Sequence, residues 1–256
     1  MTSIKPFQLE DLLTINTINL DPLTENFNIS FYSQYLIDWP NLFYKSTEHH
    51  GKSDEGDENE QEISGYMMAK TEGQLSKLEY HTHITAVTIS DQYRRISLAS
   101  KLCLALENIS EVQQTLFIDL FVKVTNQLAR KLYEKLDYAV YRRVIGYYSK
   151  SKKQIPSIRS KLDSSDENDD IDAFDMRKAL PLDKDRRTVR ENGGESFRVL
   201  PHEVRRYCQQ LACSTIERSE ILLRASMLHY RAKRDIVKSY VDIVNSYRAP
   251  LSRSAR

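Results

Sequence analysis

Residues 87–102 read VTISDQYRRISLASKL, and the fold turns on how that stretch is parsed. Its start continues a β-branched alternation through Ile84, Thr85, Val87, Thr88 and Ile89, which predicts a strand over residues 83–89. A basic turn follows at Arg94 and Arg95, and residues 98–109 then carry apolar side chains at helical spacing. A turn that enters a helix leaves backbone N–H groups without intrahelical partners at the positive end of the helix dipole, an arrangement that binds phosphate oxygens. Spacing alone equally permits a solvated connection.

A second constellation lies downstream. Residues 116–124 predict another strand, Asn126 stands where a side chain caps a helix, and residues 127–136 predict that helix, with Ala129 and Tyr133 one turn apart on one face. Taken by itself this is a cap followed by a buried tyrosine that finds a hydrogen-bond partner.

Outward from these two units, Leu9, Leu12, Leu13 and Ile15 predict a helix after Pro6, and residues 31–37 a second one. Between them, residues 19–29 lack a clean period and read as a packed loop, a candidate binding loop. Residues 48–62 are almost entirely polar and read as a solvated acidic insertion. Residues 63–70 predict a strand that turns at Gly73 and pairs antiparallel with the one ending at Ile89, and residues 138–148 predict a further strand. Residues 150–172, basic then acidic, read as a connector, and residues 173–180 as a last short strand. Intermixed strands and helices place the chain in the α/β class, as an α+β mixed sheet.

Composition bounds the function classes. Lys and Arg number 37 against 36 Asp and Glu, a formal charge of +1, so whole-chain electrostatics make no case for nucleic acid or a membrane. The three cysteines, Cys103, Cys208 and Cys213, have neither zinc-site spacing nor an even disulfide pattern, which predicts a reducing, cytoplasmic setting and no metal site. Cys103 falls on the apolar side of its helix and reads as core.

The two constellations together resemble the GNAT acetyltransferase family, whose signature is a turn of the type Arg-x-x-Gly-x-Ala, then a strand and an Asn-x-x-Ala-x-x-x-Tyr helix. Here Ser97 stands at the usual glycine, which keeps the N–H but reduces φ freedom. The likeness tightens to catalytic subunits of the N-terminal acetyltransferase B (NatB) group through LDPLTENF (20–27), YMMAKTEG (66–73), HTHITAV (81–87), DLFVKVTNQLARKLYEKLDY (119–138), VYRRVIGYY (140–148) and DAFDMRKAL (172–180). Asp137 replaces a common glycine, and Phe27 stands where relatives carry Tyr.

The resemblance implies a central, mostly antiparallel sheet with a splayed strand pair flanked by helices, a catalytic domain over 1–180 and a family-like segment over 181–205. Residues 206–256 match nothing, and the run 204–247, free of Gly and Pro and rich in arginine, reads by itself as a helical extension. The resemblance also implies acetyl-CoA as cosubstrate, with pantetheine along Val87, Thr88 and Ile89, pyrophosphate on Arg94, Arg95, Ser97, Leu98, Ala99 and Ser100, and contacts from Asn126 and Tyr133. Tyr133 would serve the departing thiolate, and His83 or the Tyr147/Tyr148 pair the amine proton. Glu25, Phe27, His81, His83, Thr85, Ala86, Tyr147 and Tyr148 would receive a Met-Asp, Met-Glu, Met-Asn or Met-Gln N-terminus. Leu12, Ile15, Tyr35, Leu36 and Trp39 would lie in core or dock on a large helical-repeat (TPR-type) auxiliary subunit, which would place the chain at the ribosome. Two rival readings are a GNAT enzyme for lysine or small amines and a non-catalytic module whose basic tail contacts RNA or protein.

Overall fold

The computed structural model describes residues 2–21, 24–49, 61–148 and 169–204. The expected tail over 206–256 lies outside the described residues, as do the interiors of the acidic insertion and of the connector.

Eight strands form one open mixed sheet: β1 (Thr2–Pro6), β2 (Phe43–His49), β3 (Gln61–Glu72), β4 (His81–Ile89), β5 (Phe117–Lys123), β6 (Ala139–Val144), β7 (Ala173–Ala179) and β8 (Arg198–Val199), in the order β1-β2-β3-β4-β5-β7-β6-β8. The β4–β5 and β6–β8 pairs are parallel and the others antiparallel. Among the described residues, the helices that position the site are α1 (Asn16–Asn19), α2 (Ile29–Asp38), α3 (Leu98–Val112) and α4 (Gln127–Lys135).

Alternation along the strands builds two cores. On β3, Met67 and Ala69 face one way and join Leu102, Cys103 and Leu106 of α3, Ile118 and Leu120 of β5, and Tyr133 of α4. Tyr66 and Met68 face the other way and join Phe7, Ile15, Ile18, Tyr32 and Tyr35. Each such aliphatic side chain removed from water contributes roughly 1.5–3 kcal/mol. Burial also pushes the Cys103 thiol up to about 12, with Glu107 adding to the shift, so this cysteine is core and unreactive.

The structure corrects several expectations. The helix expected after Pro6 is a 3-10 turn, Leu9–Leu13, followed by the single turn α1; Asp11 seals the start by accepting from the Gln8 N–H at 2.7 Å. Strands β1 and β2 were not anticipated, because FYKSTEH lacks a clear period and its polar residues Ser46, Thr47 and Glu48 are nevertheless buried. The acidic insertion is therefore shorter than residues 48–62, since its ends belong to β2 and β3. The strand expected over 138–148 stops at Val144 and gives way to a turn. Residues 173–180 do not end the sheet: β8 pairs with β6, and Val199 packs with Val144 and Val204.

Candidate active site

Strands β4 and β5 pair only from His81↔Phe117 to Ile84↔Leu120, although β4 runs on to Ile89 and β5 to Lys123. On its other edge β4 stays paired with β3 to the end, Val87 opposite Met67, Thr88 opposite Tyr66 and Ile89 opposite Gly65. The far edge of these three residues therefore faces a gap. The local cause is a bulge at Thr85: Met68 opposes Ala86 while Ala69 opposes Ile84, leaving Thr85 as the extra residue that bends the strand. The Thr85 hydroxyl is held at 2.7 Å by Tyr35. Gly65 keeps β3 close here, since a Cβ would meet Ile89 Cδ1 at 2.5 Å and the Thr88 carbonyl at 2.7 Å.

The gap opens beside the turn into α3. Arg95 (φ 68°) and Ser97 (φ 66°) are both left-handed, and the first backbone bond of the helix is Lys101 N–H to the Ser97 carbonyl at 3.0 Å. The N–H groups of Leu98, Ala99 and Ser100 precede it, and the Ser97 side chain does not cap them. The Arg94 side chain, expected among the phosphate contacts, turns elsewhere: it donates to the Ile89 carbonyl at 3.2 Å and pairs with Asp91 at 3.2 Å and Asp21 at 2.5 Å. It thereby ties this turn to the first loop.

On the α3 side of the gap, Asn126 caps α4 by accepting from the Ala129 N–H at 3.1 Å. Tyr133 is buried, and its hydroxyl has no protein partner among the described residues. Burial, then Cys103 and Tyr148, push its phenol well above the usual tyrosine range.

On the opposite face the centre is Phe121 of β5. Tyr147 stacks on it with ring centroids 4.6 Å apart, His83 tilts against it at 5.6 Å, and the Tyr148 hydroxyl reaches its carbonyl at 3.5 Å. Glu25 lies close enough to act on Tyr148, whose phenol is raised first by burial, then by Tyr147 and Glu25. The turn carrying the tyrosines is anchored by buried Asp172, which accepts from the Gly146 N–H at 2.8 Å and from Arg143 at 2.7 and 2.9 Å. Phe27 stacks on Phe31 at 4.5 Å, and Asn19 organises its loop by donating to the Tyr32 hydroxyl at 3.3 Å and accepting from Tyr66 at 2.9 Å. Ala86 packs against this second core.

The two histidines differ. His83 holds Asp119 through Nδ1 at 2.8 Å. His81 is buried, stacked on Phe117 at 4.7 Å, with Nδ1 on the Glu79 carbonyl at 2.5 Å and Nε2 3.6 Å from Asp119.

This geometry has relatives. Residues 14–138 match the model of the Acetyltransferase (GNAT) family. The chain is 52% identical over 207 residues to the N-terminal acetyltransferase B complex catalytic subunit NAT3 of Saccharomyces cerevisiae, across 80% of this chain and all of that one. The chain belongs to the NatB catalytic subunits of the GNAT acetyltransferases. A solved NatB acetyltransferase complex bound to a bisubstrate inhibitor is similar at 62% identity and a TM-score of 0.64, over 79% of this chain and 98% of that one. A second, bound to CoA and MES, is similar at 62% identity and a TM-score of 0.55, over 70% of this chain and 99% of that one.

The residues present fit the acetyl-CoA of a GNAT enzyme. The free edge of Val87, Thr88 and Ile89 offers backbone groups to a pantetheine arm as an added strand does, and the left-handed turn with the N–H groups of Leu98, Ala99 and Ser100 offers donors to a pyrophosphate. Both replacements of a family glycine fall at left-handed positions, Ser97 and Asp137 (φ 70°), so each costs backbone energy without removing a donor. Sequence reasoning missed Asp119, Asp172, Arg143 and Asn19. The signal for Asp119 was a lone carboxylate inside the apolar run FIDLFV.

Proposed function

We propose that this chain acetylates the α-amino group of N-terminal methionine in nascent proteins beginning Met-Asp, Met-Glu, Met-Asn or Met-Gln, in the cytoplasm and at the ribosome, together with a large TPR-type helical-repeat subunit. Its kinship over the whole length of a NatB catalytic subunit carries the reading, and the splayed β4–β5 gap between two chemically distinct faces is its physical counterpart.

Acetyl-CoA supplies the thioester carbonyl carbon that the acceptor nitrogen attacks, and CoA leaves as a thiol. An α-amine with a reference pKa near 8 keeps a useful neutral fraction, so positioning outweighs strong base catalysis. Glu25, Phe27, Tyr147 and Tyr148 would enclose the methionine, with His83 beside its second residue. Tyr133, kept neutral by burial, is suited to donate its hydroxyl proton to the departing sulfur. Proton loss from the amine would be taken up on the His83 and Tyr147 side, through water.

The partner surface has support in the N-terminal segment. Ile15 and Tyr35 are buried and Leu12, Leu36 and Trp39 partly so, whereas Leu9, Leu13, Leu20, Ile29 and Ile37 are exposed, a set of apolar side chains suited to a helical-repeat partner.

The test is CoA release from acetyl-CoA by chain co-expressed with the auxiliary subunit. Met-Glu peptides should turn over, with Ser-Glu and internal-lysine peptides far slower; preference for lysine would overturn the acceptor assignment.

A further inference from the structure

Asp119 is a buried carboxylate that the reaction outlined above does not use. On its face of the sheet, Lys70 pairs with Glu72 at 2.5 Å on β3, and Arg142 of β6 and Arg177 of β7 both pair with Asp175, at 2.7 and 3.2 Å. Asp119 is left facing the two histidines, with Arg177 contributing from β7. Burial opposes its ionisation, yet His81, His83 and Arg177 outweigh it and hold the group well below the usual carboxylate range.

An ionised Asp119 accepts only, so the Nδ1 it contacts carries the proton. His83 Nε2 has no protein partner among the described residues, and the ring sits between Asp119 and Phe121 in the site. A neutral ring fixed this way presents a lone pair at Nε2, which accepts from the NH2 of a carboxamide. A carboxylate has no proton to give, so it can be held only if Nε2 is itself protonated.

Resting on the acceptor reading above, we propose that Asp119 is a specificity-determining positioning residue: it fixes His83 through Nδ1, so that an acidic second residue is accepted with uptake of one solvent proton at Nε2, and an amide second residue without it. The groups facing His83 are Lys70 and Glu72 from β3, His81 on β4, Asp119 on β5, Arg177 on β7 and Tyr147 from the turn after β6. Lys70 and Glu72 cancel, and Arg142 and Arg177 together balance Asp175 and Asp119, so the proton is what balances an incoming carboxylate.

The test is the ratio of kcat/KM for Met-Glu over Met-Gln peptides from pH 6 to 8.5, with the chain in complex with its auxiliary subunit. The α-amine and the leaving thiol are common to both peptides and cancel in the ratio. The ratio should fall as pH rises, approaching roughly tenfold per pH unit on the alkaline limb. Asp119→Asn should lower the ratio at pH 6.5 and flatten it, with Met-Gln turnover reporting an intact fold. Should that variant fail to fold, His83→Gln, which donates and accepts without taking up a proton, should give the same flat profile. A wild-type ratio independent of pH, or an Asp119→Asn loss equal for both peptides with the pH slope kept, overturns the proposal. Absence of turnover with every Met-acid and Met-amide peptide overturns the acceptor reading beneath it, and the proposal with it.

Discussion

Ser97→Gly and Ser100→Gly delete the same side chain three residues apart and should change stability in opposite directions. Ser97 sits at φ 66°, where a Cβ costs about 1–2 kcal/mol, while glycine's extra chain entropy offsets about 0.5–1 kcal/mol of any relief. The net expectation is a gain of about 1 kcal/mol, a rise in Tm of roughly 2–4 °C for a unit of this size. Ser100 lies in the first turn of α3, where exchanging serine for glycine loses about 0.5 kcal/mol of helix propensity and should lower Tm by roughly 1–2 °C. Thermal unfolding of the two variants beside wild type reads both signs in one experiment. KM for acetyl-CoA should stay within about twofold for Ser97→Gly, because the serine already holds the backbone in the conformation that presents its N–H groups. A Tm lowered by both substitutions would refute the left-handed assignment and the account of the turn built on it.

Asp172→Ala removes the buried carboxylate paired with Arg143, which is 5% exposed, and should cost about 3 kcal/mol in urea unfolding. It should also lower kcat/KM, since the turn bearing Tyr147 and Tyr148 loses its anchor at Gly146; a stability loss below about 1 kcal/mol would mean that Asp169 alone satisfies the arginine. Tyr35→Phe breaks the bond to Thr85 at the bulge and should cost about 1 kcal/mol, seen as a lower urea midpoint at unchanged slope. Asp119 has a folded-state pKa depressed below its unfolded value of about 3.9, so its contribution is present above that pH and lost as pH falls through the lower folded value. Acid titration of Tm should therefore be flatter below about pH 4 for Asp119→Asn than for wild type.

Much of the fold was legible where periodicity and burial agree. The run of Val87, Thr88 and Ile89 into a basic turn and then α3 was readable because a period of two changes to 3.6 across the turn over residues 90–97. The N-terminal region was less so. Leu9, Leu12, Leu13 and Ile15 have helical spacing, but Leu9 and Leu13 are exposed and only a 3-10 turn forms, with the buried work left to Phe7, Ile15 and Ile18. Strand β2 escaped notice because buried Ser46 and Glu48 satisfy one another's neighbourhood through Ser64, a tertiary arrangement invisible to local pattern. At the site, the motif pointed to Asn126 and Tyr133, whereas Asp119, Asp172 and Arg143 act through other side chains, and such supporting roles are set by contacts across strands 26 to 36 residues apart. The tie of Arg94 to the first loop was hidden for the same reason: only the approach of Asp21, 73 residues away, reveals it.

Tyr133 and the face around His83 are the groups proposed to act together in acetylating methionine α-amines. The most direct test is acetyl transfer to Met-Glu peptide by the wild-type complex and by Tyr133→Phe, at saturating and limiting peptide. Wild type should turn over, and kcat should fall at least about tenfold in the variant with peptide KM little changed. A variant with unaltered kcat, or a wild-type complex that leaves methionine α-amines untouched while acetylating lysine, would contradict that assignment.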